Sequence, residues 1–135
     1  MAIPSRSSTN SIDVNHKGLR TLLVVHGCIT LAAGLVLSVS PGLIPSIVGI
    51  HLDPGADMVA YLLAGAEFGF AALSLGGSRL SDRRALQLVA WSCIVLHAST
   101  AILELYAYTH GVSAAILGNV AARVVIIALF VYLSR

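Results

Sequence analysis

The chain has 135 residues, of which 57% are hydrophobic and 10% charged, with a formal net charge of +2. Soluble domains carry about a quarter charged residues, so this composition excludes an ordinary water-soluble domain and points to one integral-membrane domain. The few cations sit in tails and connections without forming a basic stripe, which argues against a nucleic-acid surface.

Residues 1–20 are rich in Ser, Asn and Thr, carry Arg6, Lys17 and Arg20, and have no apolar period. They read as a polar tail, mostly disordered and helical only near its end. No cleavable signal peptide is expected, because these residues are polar and the first apolar run is long enough to span on its own. Residues 21–40 carry no formal charge and make a first membrane helix, with His26 in its early third and Pro41 ending it.

The connection PGLIPSIVGIHLDPGAD is too short and too broken by Pro and Gly to span, yet Leu43, Ile44, Ile47, Val48 and Ile50 are too apolar for a solvated loop. A short helix in the interface, or over the bundle mouth, is expected there. Residues 57–76 form a second membrane helix with Glu67 at its middle. Gly65 and Gly69 flank that acid as a GxxxG, a small face expected to pack within the bundle, with a second protomer as the other candidate partner. GGSRLSDRR breaks the chain, and Ser81 or Asp82 can cap the next helix.

Residues 85–106, ALQLVAWSCIVLHASTAILELY, are long and apolar enough to cross a bilayer but contain His97 and Glu104. Seven residues apart, these two share one face with Cys93, Thr100 and Ala101, while Leu88, Val95 and Ile102 make the opposite face pure hydrocarbon. A fourth helix over residues 113–133 holds Asn119 in one half and Arg123 at its centre. The fold class is therefore all-α, a polytopic four-helix transmembrane bundle over residues 21–133 with a short interfacial segment between its first two helices. Arg6, Lys17, Arg20, Arg79, Arg83, Arg84 and Arg135 fall on one side, so both termini are expected in the cytoplasm. The membrane would be the endoplasmic reticulum of a eukaryote or otherwise a plasma membrane. Cys28 and Cys93, both in apolar segments without a CxxC, read as buried inert thiols.

At about 1.5 Å of rise per residue, Glu67, His97 and Arg123 fall near the midplane, Glu104 and Asn119 towards the outer side, and His26 towards the cytoplasm. An ionisable group at such depth costs about 2.5–3.5 kcal/mol on insertion scales and normally faces a bundle interior. Arg123 cannot shed its proton and requires a carboxylate; Glu67 is level with it and Glu104 is within reach. The acid that pairs with Arg123 stays ionised, while the other, left in an apolar pocket, keeps a proton. His97 can then shuttle a proton between them. The catalytic candidates are Glu67, Glu104, His97 and Arg123. Asn119, Tyr61, Tyr106 and Tyr108 are candidates to hydrogen-bond a substrate oxygen, although Tyr106 and Tyr108 also suit interfacial anchors.

Plainer roles stand beside these. A Glu67–Arg123 pair can simply lock helix register, His26 suits a core histidine bonded to a helix carbonyl, and His51 and His110 suit solvated connections. No cofactor is expected: as axial haem ligands His26 and His97 would differ in depth by roughly 10 Å, and no spacing resembles a zinc site.

The connection PGLIPSIVGIHLDPGA, the second-helix run LLAGAEFGFAALSL and the last-helix run GNVAARVV together resemble the small four-helix DoxX-like membrane proteins. That group includes membrane epoxide hydrolases and cyclases of fungal polyketide and terpenoid pathways, and the likeness covers most of residues 20–133. It implies acid–base opening of an epoxide in an oily biosynthetic intermediate, with Glu67 and Glu104 as the candidate acids. Membrane-embedded His and Glu also give a similarity of chemistry to sterol isomerases.

The expectation is a cofactor-independent membrane enzyme for a hydrophobic substrate, working by epoxide hydrolysis, cyclisation or isomerisation. The alternatives are a dimeric proton-coupled transporter exchanging protons at Glu67, and a structural membrane subunit.

Overall fold

The computed structural model describes the backbone of residues 6–135 and the side chains of residues 16–135. Five helices follow one another: α1 Arg6–Val39, α2 Leu43–Ile47, α3 Asp57–Gly77, α4 Arg83–Thr109 and α5 Ile116–Leu133. Four of them, α1 from His16 onward, α3, α4 and α5, are long and apolar enough to cross a membrane. Residues 1–5 of the expected tail lie outside the described residues. The remainder of that tail is helical from Arg6 and runs without a break into the expected first span.

Two antiparallel hairpins, α1 with α3 and α4 with α5, make the bundle, and sparser contacts of α1 with α5 and α3 with α4 close it into a ring. Glycine sets the first hairpin. A Cβ built on Gly27 would lie 2.7 Å from Leu75 Cγ, and one on Gly34 would lie 2.7 Å from the Phe68 ring. Each glycine is a hole for a large side chain of α3, and both pairs are seven residues apart, so one antiparallel register satisfies both.

Gly65 and Gly69, by contrast, face open space, as does Gly76. The expected use of the GxxxG inside the bundle is therefore corrected. The buried stripe of α3 is Ala60, Ala64, Ala71 and Ser74, and the two glycines lie off it.

The helix ends follow local chemistry. Asp82, with extended backbone, accepts the Arg84 N–H at 3.1 Å and caps α4. Gly49 (φ +77°) and Gly111 (φ +97°) end α2 and α4 in Schellman turns, in which Ile50 N–H reaches Pro45 O at 3.0 Å and Val112 N–H reaches Ala107 O at 3.2 Å. Arg20 ties α1 to the α3–α4 connection by donating to Leu80 O at 2.6 Å.

At the end bearing the chain termini, Leu19, Leu23, Leu86, Cys93 and Phe130 form a close-packed apolar core; Leu23, Leu86 and Phe130 are fully buried. A smaller cluster of Leu37, Ala60 and Ala64 joins α1 to α3 at the other end, where Ile44 of α2 packs on it. Large apolar side chains cover the outside: Leu88, Val95 and Ile102 are 69%, 63% and 66% exposed.

Gly27→Ala is expected to lower unfolding free energy in detergent by about 1–3 kcal/mol, because Leu75 and its backbone N–H stand in the way of the new methyl. Gly65→Ala, in open space, is expected to be neutral or to stabilise by up to about 1 kcal/mol through helix propensity. Denaturant titration followed by circular dichroism measures both.

Candidate functional site

Helical spacing brings the polar side chains together. On α4, Cys93, His97 and Ala101 are buried on one stripe and Glu104 follows one turn later. On α3, Glu67 and Ser74 lie seven residues apart along the stripe of buried alanines. On α5, Asn119 and Arg123 stand one turn apart. On α1, His26 is 5% exposed and turns inward, towards α4 across the ring.

Arg123 joins these groups. Its Nε donates to Glu104, 3.1 Å from Oε1 and 3.0 Å from Oε2, and Asn119 Nδ2 donates to the same Oε1 at 2.6 Å. Its Nη1 donates to His97 Nδ1 at 3.2 Å. From there the chain of contacts continues inward, with His97 Nε2 2.9 Å from His26 Nε2 and His26 Nδ1 2.8 Å from Ser74 Oγ. It ends where Ser74 Oγ lies 3.6 Å from Cys93 Sγ, against the apolar core. All four long helices contribute to one connected set of polar side chains, which makes an internal hydrogen-bond network between spans.

Above this network, beneath α2, is a cavity of about 610 Å³. Glu67, Thr100, Glu104, Asn119 and Arg123 supply its polar side, and α2 with the turn after it covers it with Ile44, Ile47 and Ile50. This volume is within the range of small-molecule sites. Both acids thus face one hollow in different states of pairing. Glu104 is held by Arg123 and Asn119, whereas Glu67 has no hydrogen-bond partner among the described residues and meets the Arg123 charge only through space. A second groove, lined by Leu88, Trp91 and Val95 on the outside of α4, carries no ionisable side chain.

Of the residues singled out in the sequence, Glu67, Glu104, Asn119 and Arg123 line the cavity, and His97 stands behind Arg123. Both ring nitrogens of His97 are taken, one by Arg123 and one by His26, so it contacts neither acid and is not placed to pass a proton between them. Tyr61, Tyr106 and Tyr108 are 48%, 62% and 41% exposed and lie outside the cavity lining. Tyr61 follows Ala60 of the buried stripe and is rotated away by about 100°, and Tyr106 packs on His110 with ring centroids 4.1 Å apart. Cys28, expected to be buried, is exposed, while Cys93 is buried.

His26 requires a correction. It bonds two side chains rather than a helix carbonyl, and its Nε2 touches His97 where a depth difference of roughly 10 Å was expected from the helix rise. A depth counted from the helix rise holds only if all helices start at one level, and the register of α1 on α3, Gly27 against Leu75 and Gly34 against Phe68, instead sets His26 beside Ser74 and level with His97. The 2.9 Å separation is a hydrogen bond; a metal bound by both imidazole nitrogens would hold them about 3.3 Å apart in tetrahedral geometry and farther apart as trans ligands. Ser74, fully buried, was absent from the sequence-level set. Its only signal was its place seven residues after Glu67.

Glu104→Gln, Arg123→Gln and the double variant form a thermodynamic cycle expected to give a coupling of about 0.5–3 kcal/mol. Unfolding in detergent measures it, and additive losses would mean that the pair contributes nothing to stability. Compared with known proteins, the chain matches no family model, no curated protein and no solved structure.

Proposed function

We propose that the chain is a multi-pass membrane enzyme that opens an epoxide in an uncharged, apolar molecule by acid–base catalysis. The observation that carries this reading is the pair of unlike carboxyls on one largely apolar cavity, Glu104 bonded to Arg123 and Asn119, and Glu67 free of such bonds. Environments that treat two acids differently are how one site holds an acid and a base together. Four apolar spans and an outer surface of large aliphatic side chains support the membrane setting. The concentration of Lys and Arg at the end bearing the termini supports a cytoplasmic location for both termini.

In this reading Glu67 is the general acid and Glu104 the general base. Glu67 gives its proton to the epoxide oxygen as the C–O bond breaks. Glu104 accepts a proton from water, or from a hydroxyl of the substrate itself, as the new C–O bond forms. The products are a diol or a cyclic ether bearing one new hydroxyl, and a proton passing from Glu104 back to Glu67 through cavity water resets the pair. Arg123 and Asn119 keep Glu104 oriented and charged until it accepts that proton. The resemblance of most of residues 20–133 to the DoxX-like group, which includes epoxide hydrolases and cyclases, implies the same chemistry.

Purified protein is expected to convert long-chain or branched apolar epoxides in detergent with no ion gradient, with label from H₂¹⁸O entering the diol when water is the nucleophile. Glu67→Gln and Glu104→Gln are each expected to lower turnover by about 10²–10⁴-fold while circular dichroism stays unchanged. Full activity in both variants would place the chemistry elsewhere.

The absence of a bonded partner for Glu67 also suits a proton-exchanging transporter, and proton-driven uptake into vesicles without product formation would favour that reading. Single cysteines introduced by Arg79→Cys and Gly111→Cys are expected to react with a membrane-impermeant maleimide from opposite faces, Arg79→Cys from the cytoplasm. Labelling from the same face would refute the topology.

A further inference from the structure

His26 and Ser74 line no part of the cavity, yet through His97 an unbroken chain of contacts joins them to the arginine that holds Glu104. Hydrogen-bond polarity decides what that contact does. A guanidinium has donors and no acceptor, so His97 Nδ1, 3.2 Å from Arg123 Nη1, must present a lone pair. A neutral imidazole has one N–H, and His97 therefore carries it on Nε2 and donates to His26 Nε2 at 2.9 Å. His26 in turn must carry its hydrogen on Nδ1, where Ser74 Oγ accepts it at 2.8 Å. Beyond it the Ser74 hydroxyl lies 3.6 Å from Cys93 Sγ, a contact in which either group can donate. The donors of Arg123, His97 and His26 each find an acceptor only if all three point the same way.

We infer that His26 and Ser74 are positioning residues for the cavity, fixing the His97 tautomer so that Arg123 is shared between His97 and Glu104 and is kept off Glu67. The facing groups on each helix are consistent with this role. Besides the histidines, the ionisable side chains facing this set are Arg123 of α5, Glu104 and Cys93 of α4 and Glu67 of α3; among the described residues α1 buries the polar side chains of His26 and Thr30, and Thr30 is spent on its own helix, donating to His26 O at 3.1 Å. If His97 carried its hydrogen on Nδ1 instead, an N–H would face the Arg123 Nη1 donor. The guanidinium would swing away, and Glu67, across the cavity, is the unpaired carboxylate open to it. The acid of the proposed reaction would then be tied up as an ion pair. The effect on turnover rests on the enzymatic reading above, whereas the tautomer does not.

The test is ¹⁵N NMR of the full-length protein with labelled histidine, in detergent at neutral pH, with His97 assigned from His97→Gln. The expected result in the native protein is a neutral His97 protonated on Nε2, and in His26→Leu a mixture that includes the Nδ1–H form. His26→Gln, whose amide offers one acceptor and one donor, is expected to restore the native form. Ser74→Ala, the milder change, is expected to loosen the tautomer of His26 if His26→Leu does not fold. On an epoxide turned over by the native protein, His26→Leu is expected to lower kcat about 10- to 100-fold with little change in KM, and His26→Gln to recover most of it. A native His97 that is protonated on Nδ1 or doubly protonated overturns the proposal, as does a tautomer unmoved by both His26→Leu and Ser74→Ala. A shifted tautomer with no change in kcat overturns the positioning role, and a native protein with no epoxide turnover bears on the enzymatic reading and not on the hydrogen-bond chain.

Discussion

A guanidinium in the middle of an apolar helix can neither lose its proton nor accept a hydrogen bond, and this constraint on Arg123 organises the polar interior of the bundle. It has two directions to satisfy. Nε turns to Glu104 on the neighbouring helix, and Nη1 turns inward to His97. The first contact pairs Glu104 with a cation, whereas Glu67, on the same cavity, has no such bond among the described residues. The second sets the orientation of a chain of side chains that ends, two helices away, at Ser74 and Cys93. A lysine, with a compact ammonium at the end of a flexible stem, has no planar fork to divide between two such partners.

The backbone arrangement makes that geometry available. Gly27 and Gly34 let α1 and α3 approach until Leu75 and Phe68 fill the space a Cβ would take, and this brings His26 beside Ser74. The α4–α5 hairpin is fastened at both ends by polar contacts, Gln87 Nε2 to Ser134 O at 2.9 Å and Asn119 to Glu104. Where the hairpins meet, contacts are sparser, and the cavity opens there beneath α2. Tight packing within each hairpin and a gap between hairpins is a way for a chain this short to keep a hollow without losing its core.

Much of this was legible in the residues. The four long helices follow from apolar runs broken at Pro41, at GGSRLSDRR and near Gly111, and the short α2 from an apolar segment too broken by Pro and Gly to span. The inward face of α4 was readable because His97, Glu104 and Cys93 share a helical stripe opposite Leu88, Val95 and Ile102. What escaped was relative height between helices. A rise per residue gives depth only relative to an assumed starting level, and the register of α1 on α3, set by Gly27 and Gly34, placed His26 beside Ser74 and His97 instead. Rotation of single positions was the other gap: Tyr61, Gly65 and Gly69 each needed the packing angle of α3, and that angle is set by Gly27 and Gly34 on a different helix.

The packed apolar core at the end bearing the termini has a consequence for traffic. Leu19, Leu23, Leu86 and Phe130 seal the bundle below Cys93, whereas the cavity lies above, under the short α2. In the proposed bilayer setting, no path through that packed end reaches Glu67 without moving those side chains, so the hollow beneath α2 is the nearer approach.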